Sequence, residues 1–145
     1  MLAFKRTMYE KERNTLAQLR AERYALQSRR DETERQMLQR QAEFQQKAAA
    51  GAVGIEEVKK TSFYRENAHN LILQLEGETA QKDIEIERQM QVVIELDKEV
   101  KSLEKLRERQ WEEYQADSMR EENERILEIV SGRFVEKQRE GDEAQ

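Results

Sequence analysis

The chain has 145 residues, of which 39% are charged and 37% are hydrophobic, and its net charge is −5. It contains no proline and no cysteine, so the strongest helix breaker is missing, and a disulfide framework and thiol chemistry are both excluded. So few apolar residues make a compact core hard to supply, but they suit long helices that each bury one stripe. We therefore predict an all-α rod rather than a globule.

The charge is distributed unevenly along the chain. Residues 1–50 carry 11 Lys/Arg and 7 Asp/Glu, whereas residues 51–145 carry 15 and 24. A basic and an acidic helix attract each other when the chain folds back. Because a solvent-exposed ion pair contributes only about 0–1 kcal/mol, we expect this asymmetry to set orientation more than stability.

Residues 1–48 are predicted to form the first coiled-coil helix, because they lack glycine and proline and are rich in helix formers. Side chains spaced by seven supply one core position of a heptad repeat: Leu2, Tyr9, Leu16, Arg23, Arg30, Met37 and Phe44. Arg23 and Arg30 interrupt this apolar pattern. Either their stems pack while their charged ends reach water, or they fix the register by facing acids on another helix.

Residues 49–54 are predicted to form a turn. Gly51 suits a left-handed helix C-cap, with Lys47 near the carbonyl end. Gly54 then caps the next helix. Two glutamates fall in the first turn of that helix, Glu56 and Glu57. So short a connection sends the second helix back along the first. A start at Thr61–Ser62, with a longer loop, remains an alternative.

Residues 55–136 are predicted to form a second, longer coiled-coil helix, and residues 137–145 a frayed polar tail. Its heptad core positions are Ile72, Thr79, Ile86, Val93 and Val100, with Leu75, Leu96 and Leu103 at the other position. The fold is thus an antiparallel two-helix coiled-coil hairpin. A turn near Gly51 places Gly77 opposite Leu26. Gly77 either makes room for that larger residue or acts as a bend or hinge.

In this register the second helix projects beyond the first by roughly 50 Å, at 1.5 Å per residue. The projecting part keeps apolar side chains: Leu106, Trp111, Tyr114, Met119, Ile126, Leu127, Ile129, Val130 and Phe134. Their spacing drifts off the heptad towards an 11-residue phase. We expect either residues before Met1 or another molecule to cover them.

The sequence lacks the residue patterns of a catalytic or metal site. His69 is the only histidine, there is no phosphate-binding Gly-Lys-Ser/Thr loop, and a two-helix rod offers no dry pocket to separate carboxylate pKa values. We therefore expect no enzyme activity, no cofactor and no metal. The net charge argues against nucleic-acid binding, and basic doublets such as Lys59–Lys60 indicate solvated helix faces.

No apolar run approaches the roughly 20 residues that span a bilayer. The N-terminus turns charged at once, so no signal peptide is visible. We therefore expect a cytoplasmic protein without direct membrane insertion.

A dense run follows the heptads of the second helix. Lys101 precedes Leu-Glu-Lys-Leu at 103–106, Glu108 and Tyr114. With the residues before it from Val92, this run resembles the C-terminal half of the flagellar export protein FliJ family. The stretch 121–129, with an acid at Glu128, and the start Leu2-Ala3-Phe4-Lys5-Arg6 with Glu10 are also similar. Trp111 departs from the family pattern, which has a long polar or aliphatic residue at this position. Family members also usually carry further residues before the position that matches Met1.

The resemblance implies a cytoplasmic component of the flagellar type III export apparatus, peripheral to the cytoplasmic membrane through that apparatus. Such proteins form a two-helix rod similar to the central stalk of rotary ATPases. One end inserts into the hexameric export ATPase, the other approaches the cytoplasmic domain of the FlhA-type export gate, and export chaperones dock on the rod.

Carried over to this chain, the resemblance implies two partner-binding ends. The ATPase end comprises Leu103, Leu106, Arg109, Trp111, Tyr114, Ile126 and Val130. The gate end comprises Gln41, Phe44, Phe63, Tyr64, Ala68, Leu71 and Leu75. The aromatic residues of the gate end are equally consistent with ordinary packing between the two helices.

Two other functions are compatible with the heptads. A generic structural rod would form a parallel homodimer or filament with no export role. A DNA-binding zipper would show salt-dependent binding to duplex DNA, and it is the least favoured because acids interleave with the basic residues.

Overall fold

The computed structural model describes residues 1–143 and contains two helices, α1 (Leu2–Ala49) and α2 (Ile55–Glu143). They pack against each other as an all-α helical hairpin, and the described part of the chain has no strand, which confirms the predicted fold class. The tail differs from the prediction, since α2 continues to Glu143. Helix formers fill most of residues 137–143, which explains the continuation. The rest of the predicted tail, residues 144–145, lies outside the described residues.

The turn between the helices is closed by a glycine in the left-handed conformation. Gly51 has φ 73°, which only glycine adopts without strain. Its N–H donates to the carbonyl of Ala48 at 3.1 Å, and that of Ala52 donates to the carbonyl of Lys47 at 3.1 Å. These two bonds satisfy carbonyls that the end of α1 leaves free, as in a Schellman motif. The predicted cap at Gly51 is therefore confirmed.

The start of α2 also follows from local chemistry. The N–H of Val58 donates to the carbonyl of Gly54 at 3.2 Å, so Gly54 takes the position before the first helical residue. The predicted glutamates lie in the first turn, Glu56 and Glu57, where negative charge complements the helix dipole. The alternative start at Thr61–Ser62 is not adopted.

The contacts of the chain divide it into two units, residues 3–98 with Met1 and residues from Glu99 onward with Leu2. In the first unit the core is a narrow row between α1 and α2. Its buried residues are Leu16, Ala68, Ile72, Leu75, Thr79 and Leu96. The Thr79 hydroxyl donates to the carbonyl of Leu75 at 2.8 Å, so the one polar side chain in this row is hydrogen-bonded within its own helix.

The heptad assignment agrees with the observed burial. All seven core positions predicted for α1 are buried or half-buried, including Arg23 and Arg30. The same holds for all eight predicted for α2, among which Leu75 is the most deeply buried. The seven-residue period therefore identified the packed face of each helix correctly.

Polar contacts between the helices show the antiparallel register. Glu22 accepts a hydrogen bond from Lys82 at 2.6 Å, and Gln89 donates to the carboxylate of Glu12 at 2.6 Å. Later residues of α1 thus face earlier residues of α2. The predicted register, with Gly77 opposite Leu26, would place Gln81 opposite Glu22. The observed partner of Glu22 is Lys82, which lies within one helical turn of Gln81, so the two registers agree to that extent.

The packing explanation of Gly77 is wrong. Gly77 is exposed, and a Cβ atom added there would meet no atom within 4 Å. The glycine therefore makes no room for Leu26, because it lies on the outer face of α2 rather than on the face towards α1. Its role as a bend or hinge stays a prediction.

The second unit consists largely of exposed helix. Val100 is buried and Leu103 is half-buried, whereas each residue from Glu104 to Gly141 is exposed. Neither α1 nor α2, as far as the structure describes them, has the length of apolar sequence that crossing a membrane requires.

Candidate partner-binding surfaces

The first candidate surface is a groove beside the turn, between the end of α1 and the start of α2. We call it the tip groove; it has a volume of about 290 Å³ and its lining includes Met37, Arg40, Phe44, Val58, Tyr64 and Arg65. The α1 residues among these are spaced by three or four, so they share one face of the helix. Apolar side chains form much of the lining, and two guanidinium groups lie among them.

A cation–π contact holds the two sides of the tip groove together. The Cζ atom of Arg40 lies 3.9 Å from the centre of the Tyr64 ring, within the range in which a guanidinium is attracted to an aromatic face. Because Arg40 is on α1 and Tyr64 on α2, this contact fixes the position of the aromatic ring across the groove.

The structure separates the predicted gate-end residues into three groups. Leu75 is 1% exposed and Ala68 is 6% exposed, so their side chains belong to the core of the hairpin and no partner reaches them while it stays closed. Phe63 is 67% exposed. The others are half-buried, namely Gln41, Phe44, Tyr64 and Leu71. The prediction of an accessible surface is therefore corrected for Ala68 and Leu75.

The second candidate surface is the series of exposed apolar residues on α2 after Glu104, which we call the exposed row. It comprises Leu106, Trp111, Tyr114, Met119, Ile126, Leu127, Ile129, Val130, Phe134 and Val135. Trp111 and Tyr114 stack with their ring centres 5.8 Å apart and their planes at 23°. They are three residues apart in a helix, which brings their side chains onto one face.

Most predicted ATPase-end residues are exposed, but they do not share one face. Trp111 and Tyr114 form one cluster, and Ile126 and Val130, four residues apart, form another. At 100° per residue the two clusters point in directions about 110° apart. Of the remaining three, Leu106 and Arg109 are exposed, whereas Leu103 is half-buried.

The solvent-accessible edge of the interface between α1 and α2 carries a set of ion pairs that sequence reasoning located only in part. Arg23 bonds to Asp83, and Arg30 bonds to Glu76 at 3.0 Å. The hydrogen bond to Glu76 is the main cause that raises the pKa of the Arg30 guanidinium. Both arginines therefore face acids on α2 while their side chains stay partly open to water, so the structure is compatible with both interpretations. Their partners could have been found from the sequence because they, too, are seven residues apart.

A third ion pair joins the helices beside these two. The hydrogen bond from Lys82 holds the pKa of the Glu22 carboxyl below its usual range. The same bond raises the pKa of the Lys82 ammonium. Each group thus favours the charged form of the other, and both remain accessible to water.

The described residues form no group of three or more His, Cys, Asp and Glu side chains that could hold a metal ion. His69 is exposed on α2. What the two surfaces offer chemically is apolar and aromatic contact area with charged borders, which suits the binding of another protein.

Comparison of the chain with protein-family models, with curated proteins and with solved structures finds no match.

Proposed function

We propose that the chain is a stalk-like coiled coil of the flagellar type III export apparatus. In this role it links the export ATPase ring to the FlhA-type export gate and docks export chaperones, in the cytoplasm and peripheral to the membrane. The observation that supports the proposal most is the exposed row, a set of apolar and aromatic side chains on a helix that is otherwise charged. Soluble proteins rarely leave such a set uncovered unless a partner binds there.

The distribution of the exposed row around α2 suits a ring-shaped partner. A helix that binds one flat surface needs a single apolar stripe, whereas a helix that is apolar on several sides is surrounded by protein. The Trp111 cluster and the Val130 cluster point about 110° apart and lie roughly 23 Å apart along α2, so a single partner that contacts both must curve around the helix, as the bore of a ring does. The stacked pair Trp111 and Tyr114 gives this end two large, amphipathic anchors of the type enriched at interfaces.

The tip groove is the proposed site for the gate protein. The groove offers apolar side chains with the guanidinium groups of Arg40 and Arg65 among them, whereas Phe63 is exposed on another side of α2. A partner segment with an apolar side chain and a nearby carboxylate would match this surface. The proposed role is mechanical, without catalysis and without a cofactor.

Binding of the purified chain to a flagellar export ATPase tests the ATPase end. Trp111 is the only tryptophan, so a variant of the ATPase without tryptophan would let the emission of Trp111 report its burial directly. We expect a shift to shorter wavelength on binding. The double variant Trp111→Ala, Tyr114→Ala should lose binding in a pull-down.

Matched controls separate the two surfaces. Arg65→Glu, in the lining of the tip groove, should weaken binding to the cytoplasmic domain of the gate protein and leave ATPase binding unchanged. Ile84→Ala alters an exposed residue of α2 outside both surfaces and should change neither. Absence of binding to both proteins at micromolar concentration would refute the proposal.

The runner-up is a structural coiled-coil rod that forms a homodimer and has no export role. The exposed row favours it too, because a second copy could cover apolar residues as well as a different protein could. Binding to the ATPase and the gate discriminates the two functions, since the rod has no reason to bind either.

A further inference from the structure

The face of α2 that points away from α1 carries a stretch without charged side chains. Gly77 follows the buried Leu75 by two residues, so at 100° per residue the two point about 160° apart. Exposed residues at steps of three and four continue the direction of Gly77 along the helix. They are Asn70, Leu73, Gly77, Ala80, Gln81 and Ile84. We call these six residues the outer stripe, which is about 21 Å long at 1.5 Å per residue.

A solvated outer face would be charged in a chain of which 39% of the residues are charged. Charge returns on this face only at the ends of the outer stripe, with Glu66 before it and Arg88 after it. Between them Leu73 is 52% exposed and Ile84 is 48% exposed. A helix that packs on one side only has a polar opposite face. In this part of the hairpin α2 therefore has a second, uncovered apolar face.

Gly77 is a second and independent feature of the outer stripe. Glycine inside a helix costs about 0.5–1 kcal/mol relative to alanine, and Gly77 returns nothing to the packing of the hairpin, because no atom lies within 4 Å of the position of a Cβ atom there. With the small side chain of Ala80, it leaves a notch between Leu73 and Ile84. Glycine is the residue that allows the backbone of another molecule to approach closely.

Acidic side chains border the outer stripe on both sides. Those on one side are Glu76, Asp83 and Glu87, and those on the other are Glu78 and Glu85. Three of these five are bonded to cations of the hairpin itself. Glu78 and Glu87 instead accept hydrogen bonds from Gln74 and Gln91 and form no ion pair with a described residue. Arg29 lines the groove beside Glu78 without pairing with it. Each border thus keeps one carboxylate for a cation from outside.

We propose that the outer stripe binds an amphipathic helix of another protein, which has small and apolar side chains along one face and Lys or Arg on both borders. Its apolar face covers Leu73 and Ile84 and enters the notch at Gly77. Its cations meet Glu78 on one border and Glu87 on the other. A second copy of this chain would bring the same excess of acids, which is why a basic helix fits better.

The inference does not rest on the proposed function. The outer stripe shares no residue with the ATPase end or with the gate end, so failure of either proposal leaves the other standing.

A stapled synthetic peptide of about four helical turns, with alanine and leucine along one face and lysine on both borders, is the probe. Fluorescence anisotropy measures its binding to the full chain, and the same peptide with glutamate in place of lysine should not bind. The double variant Leu73→Ala, Ile84→Ala should weaken binding by roughly tenfold, because it removes apolar contact area. Leu38→Ala, Ile129→Ala makes the same two changes at exposed residues elsewhere and should bind like the wild type. Equal affinities for the two variants would overturn the proposal.

Charge reversal separates the outer stripe from a general attraction between a basic peptide and an acidic chain. Glu78→Lys, Glu87→Lys should weaken binding by roughly tenfold, because each change replaces an attractive contact with a repulsive one. Glu112→Lys, Glu121→Lys is the matched control, since it changes two exposed glutamates of α2 that are also nine residues apart and gives the same net charge. An equal loss of affinity in both variants would show general attraction and refute the proposed site.

Disulfide formation locates the bound peptide directly. The chain has no cysteine, so Gly77→Cys and Gly132→Cys each introduce one thiol at a helical glycine with open space around it. A peptide with one cysteine at the centre of its apolar face should form a disulfide faster with Gly77→Cys in a glutathione buffer, because binding raises the local concentration of its thiol. Equal rates would place the peptide elsewhere. A disulfide between two copies of Gly77→Cys that excludes the peptide would assign the outer stripe to a second copy, and either result overturns the proposal.

Discussion

Arg30 of α1 and Glu76 of α2 bond at the edge of the interface between the two helices, with both Nε and Nη2 of the arginine 3.0 Å from Oε1 of the glutamate. Arg30 occupies a heptad position that would ordinarily hold an apolar residue. It is also bonded to Glu34 on its own helix, so one guanidinium joins acids from both helices. With an apolar residue at this position, the two helices could shift into neighbouring registers more easily. A charged residue with a fixed partner opposes such a shift.

We predict that the Arg30–Glu76 contact couples the two helices energetically. Glu76→Lys places two like charges together and should lower the melting temperature. Arg30→Glu should lower it further, because it also adds an acid beside Glu34. The double variant should have a higher melting temperature than the sum of the two single decreases predicts. Circular dichroism measures all four melting temperatures of this double-mutant cycle.

Glu87→Lys serves as the control for this cycle, since Glu87 is bonded to Gln91 on its own helix. Combined with Arg30→Glu it should give additive changes. If Arg30→Glu and Glu76→Lys also changed the melting temperature additively, Arg30 and Glu76 would not interact in solution.

The features that could be predicted from the sequence are those set by local chemistry or by a period. The seven-residue spacing identified the packed faces of both helices, because a helix buries the same face every two turns. The cap at Gly51 followed from the need for a positive φ at a helix end. The hairpin then followed from the short turn.

The features that could not be predicted depend on the rotation and register of one helix against the other. Which polar side chains meet is one such feature, since Lys82 rather than Gln81 bonds to Glu22. The burial of Ala68 and the exposure of Gly77 do follow from the heptad, because Ala68 lies seven residues before Leu75 and Gly77 lies two residues after it. The partners of Arg23 and Arg30 lay within reach of sequence reasoning, because acids with the matching seven-residue spacing stand on α2. The exposure of the exposed row followed from the loss of the seven-residue spacing after Leu103, whereas the partner proposed for it depends on the surface of another chain.

The pair of Glu22 and Lys82 should make stability depend on pH at both ends of the range. The pKa of Glu22 is lowered from 4.5, so its contribution is complete above 4.5 and is lost as the pH falls through the lower pKa of the folded state. The pKa of Lys82 is raised from 10.5, so its contribution is complete below 10.5 and is lost as the pH rises through the higher folded pKa.

The difference in melting temperature between the wild type and Glu22→Gln measures this contribution. The wild type should melt at a higher temperature than the variant, by a constant amount, at pH values between the two pKa values. This difference should shrink at lower and at higher pH. It should also shrink in high salt, because both groups are open to solvent. Glu10→Gln, an equivalent change at an exposed position of α1, should show a smaller difference without this profile. Equal profiles for the two variants would contradict the prediction.

Two glycine substitutions should have opposite effects on stability. Gly77→Ala should stabilise the hairpin by about 0.5–1 kcal/mol, because alanine is the better helix former and no atom lies within 4 Å of the new Cβ. Gly51→Ala should destabilise it by about 1–2 kcal/mol, because its φ of 73° is unfavourable for a residue with a Cβ. Urea denaturation measures both. A destabilising Gly77→Ala would indicate that α2 bends there.

Leu75 is the best test of the narrow core because it is the most deeply buried side chain. Leu75→Ala should destabilise the hairpin by about 2–3 kcal/mol, towards the low end for buried leucines, since a two-helix interface can close partly around the lost volume. Leu73→Ala is the matched control. Leu73 lies two residues away on the same helix and is 52% exposed, so its loss should change stability by no more than about 0.5 kcal/mol. Similar costs for the two variants, measured by urea denaturation, would mean that α1 does not pack on the face of α2 that carries Leu75.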